Sequence, residues 1–346
     1  NTNPGVGTGS QGAYAGTNGP IASPTASNGF LIFDSDYYDN GGIAGNFGAG
    51  PYPCNSITGG SPTGHIGVLT TDPIDCSMYS DVTILFNSFY REYTGIAKMA
   101  FSIDGGVTFT DTVEVHPDIE VNERTENDYQ VMVRMPFNIA GNSNVQMQFI
   151  YDGTVLYSVY NGYYFWMIDD IELIATPAHL INISDPDHGG WLTSSPTTTG
   201  DMGVNYTFNP IKQATANPYR FASVVTNDGA QSQTNTTFYV NVDQGGSSVF
   251  SASSTPINLY PNTDSVLSTS TYTPVTTGLH EVTFWASSDS FPMTSTLSLS
   301  TNVTDTVYAV DLDLASDGSG AENGYFLGRS CGGQVLANAF EIYDTD

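Results

Sequence analysis

Only seven of the 346 residues are Lys or Arg, against 35 Asp and Glu, which leaves a formal charge of -28. Recognition of phosphate backbones and anionic lipid surfaces needs clustered cations, so nucleic acid is excluded as a partner. There is no apolar run of the ~20 residues a transmembrane helix needs, and direct membrane insertion is not expected. Nor is there a basic-then-apolar leader at Asn1. The chain also lacks an initiator Met, and a strand-like stretch, Val335 to Tyr343, starts after a glycine turn and then stops. It is therefore expected to be a processed or excised piece of a larger precursor, with a third module following.

Catalytic and metal signatures are equally sparse. His65, His116, His179, His188 and His280 are scattered without an HExxH motif or a nearby Cys, which argues against zinc. No Gly-x-Ser-x-Gly elbow occurs, and no Ser, His and Asp set stands out. Pairs of acids for glycoside hydrolysis could be assembled from so many candidates that their presence means little. No enzyme is expected. Of three cysteines, Cys54 and Cys76 lie close enough to close a short loop and Cys331 is left over. A Cys54–Cys76 disulfide would fit an oxidising exterior; two buried free thiols are the other reading.

A convincing helical period is missing too. What is present is a series of short alternating strands joined by turn chemistry, which predicts an all-β chain of β-sandwiches with no α-helix of consequence. Residues 1–27 are Gly, Asn, Ser, Thr and Pro and read as an irregular lead-in pinned to the surface. A first domain spans 28–175, with strands FLIFDSD, IGVLTTDPI, VTILFNSFYREY, AKMAFSID, FTDTVEVH, YQVMVRMPF, VQMQFIYDG and YYFWMIDDIEL. A second, Thr/Ser-rich domain spans 178–305. Its turn sequences Asn227-Asp228-Gly229 and Gln244-Gly245-Gly246 suit positive φ and separate strands of immunoglobulin-like length. Residues 306–346 form a linker and the start of a further β-module.

Three local features bear on chemistry. Asp169 and Asp170 interrupt the aromatic strand Tyr163 to Leu173. Neighbours on a strand point to opposite faces, so at least one acid should face the packed side, where an unpaired carboxylate is costly and a cation or a dense set of donors is implied. Ser102 to Phe109, SIDGGVTF, has the form of an Asp-box, a motif that shapes a hairpin turn. A sialidase would show several copies and an arginine cluster, so a structural role is expected here. Asp185 to Gly190, DPDHGG, reads as a loop entering the second sandwich. Tyr37, Tyr38, Tyr90, Tyr93, Tyr157, Tyr160, Tyr163 and Tyr164 gather in the first domain. They suit sugar stacking or protein contacts, or form the core and rim of the sandwich.

On FLIFDSD, the Asp-box-like hairpin and WMIDDIEL, the first domain resembles the jelly-roll modules related to MAM domains and carbohydrate-binding jelly rolls of secreted and surface proteins of Bacteroidota. On FASVVTNDGA, TTFYVNV and HEVTFWASSD, the second resembles immunoglobulin-like CARDB modules. The whole chain, GRSCGGQV included, is similar to adhesin-like substrates of the type IX secretion system. The resemblance implies a structural calcium ion between the first and last jelly-roll strands, held by Asp169 with Asp34 or Asp36; the other reading has Asp36 and Asp170 solvated or accepting backbone amides at turns. It further implies O-glycosylation at Thr112, Ser265 and Thr306, within Asp-Ser/Thr-aliphatic triplets. The resulting expectation is a non-enzymatic, extracellular cell-surface adhesion or structural protein that contacts glycans, other surface proteins or copies of itself, in filaments or surface arrays. The rival is a carbohydrate-binding accessory region of a larger secreted hydrolase.

Overall fold

The computed structural model describes residues 19–34, 66–92, 95–119, 123–134, 139–154, 164–189, 205–309 and 342–344. The chain divides into two compact units, Asn1–Ala175 and Thr176–Asp346. Among the described residues no helix is long and apolar enough to cross a membrane.

The first unit has eight strands: β1 (Leu31–Asp34), β2 (Ile66–Thr70), β3 (Val82–Arg91), β4 (Ile96–Ser102), β5 (Asp111–Glu114), β6 (Gln130–Arg134), β7 (Gln146–Asp152) and β8 (Phe165–Ala175). They form two four-stranded antiparallel sheets, ordered β1-β8-β3-β6 and β2-β7-β4-β5. That order is a jelly roll. Alternation builds its core. Val82, Ile84, Phe86 and Tyr90 of β3 face Ala97, Met99 and Phe101 of β4 and Met147, Phe149 and Tyr151 of β7 across the sandwich. Trp166 lies fully buried at the centre, with its ring 5.7 Å from Phe33 and 6.0 Å from Phe149.

The alternation of β8 reverses partway along. Trp166 and Ile168 point inward, and so do Ile171 and Leu173. The register against β3 slips between Leu85 and Asn87, and Asp170 takes a φ of 50°. A β-bulge thus inserts one extra residue at Asp170 and re-aims everything after it.

The Asp-box closes the turn between β4 and β5. Asp104 Oδ1 accepts from the amides of Val107 (3.0 Å) and Thr108 (2.9 Å), and Oδ2 from the Thr108 hydroxyl (2.6 Å). Gly105 and Gly106 have φ of 76° and 84°, and a Cβ on either would collide with Asn144 or Gln146. Phe109 is half-buried.

The second unit comprises β9 (Ile181–Asp187), β10 (Phe208–Pro210), a helix α1 (Ile211–Ala216), β11 (Tyr219–Asn227), β12 (Gln233–Gln244), β13 (Ser247–Ser253), β14 (Ile257–Leu259), β15 (Thr263–Tyr272), β16 (Gly278–Ser287) and β17 (Leu297–Thr304). One sheet is β15-β11-β9; the other is β10-β17-β16-β12-β13, with β14 attached to β12. β10 runs parallel to β17, and the other pairings are antiparallel. The result is an immunoglobulin-like sandwich, its core built on Phe221, Phe238, Val240, Val282 and Phe284.

Its turns use glycine in two ways. Gly245 and Gly246, at φ 59° and 78°, form the two-residue hairpin between Gln244 and Ser247. After β11 the device differs from the expected positive φ: the Asn227 side chain bridges Gln231 O and Leu259 O and accepts from Gly229 N. Gly229 is needed because a Cβ there would lie 2.6 Å from Leu180 N.

One expectation is corrected. DPDHGG is no entry loop up to Asp187, because Asp185–Asp187 complete β9. A short helix, α1, follows Pro210, and its Gln213 accepts from the amides of Tyr343 and Asp344 at 2.7 and 3.0 Å. After β17 the chain folds back onto the same unit, with Ala309 bridging Phe208. The remainder of 306–346, where a further module was expected, lies outside the described residues apart from 342–344.

The hydroxyl of Thr108, with that of Ser102 and the turn amides, holds the Asp104 carboxyl down to about 2. Asp104→Ala is expected to lower the melting temperature of the first unit by a few degrees. An NMR titration should place the wild-type carboxyl well below an ordinary aspartate; a midpoint near 4 would show that the turn is not closed this way.

Candidate functional site

The acids of β8 do not face the core. Asp169 lies on the outer face with Phe165 and Met167, and the bulge turns Asp170 outward as well, where residues 19–30 cross the sheet. Ser23 Oγ donates to Asp169 Oδ2 at 2.5 Å, and Thr25 donates to Asp170 through its hydroxyl (2.6 Å) and amide (3.3 Å). Ala22 N is bound to Asn127 O beside β6. Ile21, 1% exposed, sits against Ile32, Phe89, Tyr164, Phe165 and Met167. The described part of the lead-in, from residue 19, is therefore a strap with its own apolar anchor at Ile21, and the donors that the acids require come from it.

Of the expected calcium set, Asp34 and Asp169 are not brought together. Asp34 is buried and pairs with Phe165 at the far end of the β1–β8 ladder. Asp169 is four residues further along β8, roughly 13 Å at about 3.3 Å per residue, too far to share one ion with it. Asp36 lies outside the described residues. A cleft of about 360 Å³ opens beside Asp169 and Asp170, lined by Gly29, Phe30, Leu31, Ile168 and Ile171. Among the described residues, no three His, Cys, Asp or Glu side chains converge as metal ligands would.

Cys76 is a free thiol, 1% exposed, within the jelly-roll core, while its expected partner Cys54 lies outside the described residues. A Cys54–Cys76 bridge lies outside the described residues; within them, Cys76 packs in the core as a small apolar group. Burial, with the Asp75 charge adding to it, pushes the thiol up and keeps it protonated. Thr112 and Thr306 are exposed and Ser265 half-buried. Of the singled-out tyrosines, Tyr90 and Tyr164 are buried; Tyr37, Tyr38, Tyr93, Tyr157, Tyr160 and Tyr163 lie outside the described residues.

One serine and histidine pair in the first unit escaped the sequence reading. His116 Nε2 lies 2.8 Å from Ser88 Oγ, which also accepts from Trp166 Nε1 at 2.9 Å. Ser88 is fully buried, and Tyr90 stacks on the imidazole at 5.0 Å and 9°. Burial pushes His116 down to about 4. Sealed from solvent on these sides, the group works as a core polar network tying β3 and β8 to the segment after β5.

The second unit holds a larger polar seam. Among the described residues, His188 Nδ1, Asn209 Oδ1, Tyr219 Oη and His280 Nε2 are buried with no partner at full hydrogen-bonding geometry. The ladders and rings connect them: the His188 ring lies 5.9 Å from Tyr219, Tyr219 pairs with Tyr272, the Tyr272 ring lies 5.9 Å from His280, and Asn209 pairs with Val303 of β17. Tyr219 also faces Asn209 and Thr301. Burial pushes His188 down to about 4 and Asp187 up to about 6, the latter held partly back by its bond from Gly189 N at 2.7 Å. Bound water is the ordinary occupant of such a seam.

The outer face of the six-stranded sheet is ordered in rows. Phe238, Val240, Val282 and Phe284 point inward, so Tyr239 and Trp285 point out, paired in register and stacked at 5.5 Å and 7°. Alongside runs the row Ser251, Asn241, Thr283 and Ser298, followed by Asp243, Glu281 and Ser300. Alternation within TTFYVNV and HEVTFWASSD carried the signal for this face, once the two strands are set side by side.

No protein-family model and no curated protein sequence matches this chain. Similar solved structures include a calcium-binding mutant of β-glucuronidase 2 from Bacteroides uniformis, 10% identical over 71% of this chain and 27% of that one, at a TM-score of 0.33. A GH2 β-galacturonidase from Eisenbergiella tayi bound to galacturonate is 10% identical over 68% and 35%, at 0.30. A CARDB domain from Pyrococcus furiosus in complex with di-metal ions is 10% identical over 38% and 97%, at 0.24. The chain spans about a third or less of the two glycosidases, and its fold rests on strand order.

With Asp169 and Asp170 supplied by strap donors, EDTA should leave the melting temperature of the first unit unchanged. Ser23→Ala should lower it, by about 2–4 °C for a loss of about 1 kcal/mol. A fall in EDTA that Asp169→Asn abolishes would restore a metal at this position.

The buried groups set opposite pH trends. His116 and His188 have folded values below the ordinary 6.5, so their contribution is complete above that pH and is lost as pH falls through about 4. Asp187 has a folded value above the ordinary 3.8, so its contribution is complete below 3.8 and is lost as pH rises through about 6. Urea titrations between pH 7 and 4 should show the His116 loss in the first unit, a flatter response in the second, and a steeper acid loss in the second for Asp187→Asn. An unaltered slope in that variant would contradict the assignment.

Proposed function

We propose that this chain is a non-catalytic pair of β-sandwich modules from a secreted, surface-borne protein, acting by adhesion. The observation that carries this reading is the placement of reactive side chains. The Ser88–His116 pair and the His188 and His280 seam lie inside the sandwiches, while the outward rows of β12, β13, β16 and β17 offer hydroxyls, amides and two rings. Such faces suit reversible contact with a polar surface, a glycan, another surface protein or a second copy of the chain. The low basic content disfavours polyanions as partners. Export by a type IX route and glycosylation at the exposed Thr112 and Thr306 accord with this setting.

A second reading, an accessory carbohydrate-binding region of a larger secreted hydrolase, draws support from the Tyr239–Trp285 pair. The two share their test. Incubation of the intact chain with neutral polysaccharides should show retention without release of reducing ends. Sustained release by pure protein, abolished by a single substitution, would make the chain an enzyme and overturn the proposal.

A further inference from the structure

We infer that the outer face of the β17-β16-β12-β13 sheet is a binding platform for a neutral polysaccharide, with Tyr239 and Trp285 stacking on a pyranose ring and the adjoining Asn241 and Thr283 row meeting its hydroxyls. This deepens the second reading above and rests on it.

The geometry supplies each element that sugar recognition needs. A pyranose presents a face of C–H bonds edged by hydroxyls, so it is matched by an aromatic surface beside hydrogen-bonding groups. Tyr239 and Trp285 are half-buried, held parallel to each other at 5.5 Å by their places in register on β12 and β16. Each ring gives one face to the other; beyond Tyr239 the row continues to Ser253 of β13, and beyond Trp285 it passes the start of β17, whose ladder begins at Leu297 opposite Phe284. Tyr239 stands mid-way along a twelve-residue strand and Trp285 near the end of a ten-residue one, so the surface is built before a ligand arrives, which reduces the ordering cost of binding.

The neighbouring row fits the remaining chemistry. Asn241, two residues after Tyr239, and Thr283, two before Trp285, are flanked by exposed Ser251 and Ser298. Amide and hydroxyl groups donate and accept, as sugar hydroxyls do. Asn241 is already oriented by the Ser248 hydroxyl, which donates to its Oδ1 at 2.6 Å and leaves the amide NH₂ to be offered.

Charge selects the class of sugar. The third row carries Asp243 and Glu281, and the outward positions of these four strands contain no Lys or Arg. Together with the net charge of -28, this repels uronate and sulfate and leaves neutral chains. Four strands about 4.8 Å apart give a platform roughly 14 Å wide, enough for a short run of sugar rings.

The test is affinity electrophoresis of the intact chain in gels containing hydroxyethylcellulose, xyloglucan or galactomannan, with polygalacturonate as the anionic comparison. At least one neutral polymer should retard the wild type. Trp285→Ala should weaken that retardation about tenfold or more, Tyr239→Ala severalfold, and Trp285→Phe should keep part of it, with circular dichroism and melting temperature reporting that each variant folds. Should Trp285→Ala fail to fold, the pair Asn241→Ala and Thr283→Ala carries the same expectation of weaker retardation. Retardation unchanged in folded ring and row variants would overturn the platform while leaving a carbohydrate-binding role elsewhere on the chain. No retardation by any neutral polymer would overturn both, and preferential retardation by polygalacturonate would overturn the charge argument.

Discussion

One extra residue governs the jelly roll. Without the bulge at Asp170, strict alternation would carry Asp170 and Glu172 into the core and turn Ile171 and Leu173 to the outside. Burying carboxylates without partners costs several kcal/mol each. The reversal keeps the aromatic half of β8 and its aliphatic half on the same inner face. It also leaves two acids side by side on the outer face, and this is what gives the strap something to hold.

The eight strands of the first unit were legible because each is a short alternating run bounded by turn residues, and the turn chemistry of SIDGGVTF and Gln244-Gly245-Gly246 was legible for the same reason. The all-β sandwich class followed. What the sequence concealed was long-range or locally disguised. Nothing local announces a bulge at Asp170, since Asp is tolerated both on a strand and at positive φ. Strand β9 contains Pro186, and β13 is dominated by Ser, so both resemble loops by composition. The helix α1 has six residues, shorter than any period that could be read.

The candidate residues were less legible than the fold. Asp34 and Asp169 belong to the first and last strands, which do pair, but the register that sets them at opposite ends of the ladder is invisible without the partner strand. Ile21 looked like a stray apolar residue in a polar lead-in, and only the outer cluster around Phe165 explains it. The same holds for Ser88 and His116, 28 residues apart in sequence and joined through the core. Tyr239 and Trp285 carry no local signal of their own, and the face they share exists only when β12 and β16 lie adjacent. In each case residue chemistry was readable and the neighbour was not.

The strap has a consequence for the order in which this molecule assembles. Ser23 leaves the ribosome well before the carboxylate that receives it, which lies 146 residues later on the last strand of the jelly roll. Contacts of such long sequence separation are slow to form. Until β8 is seated between β1 and β3, Ile21 has no pocket and the outer surface of Phe89 has no cover. The first described segment of the chain therefore finds its full pocket only on a completed sheet, as a latch finds its catch.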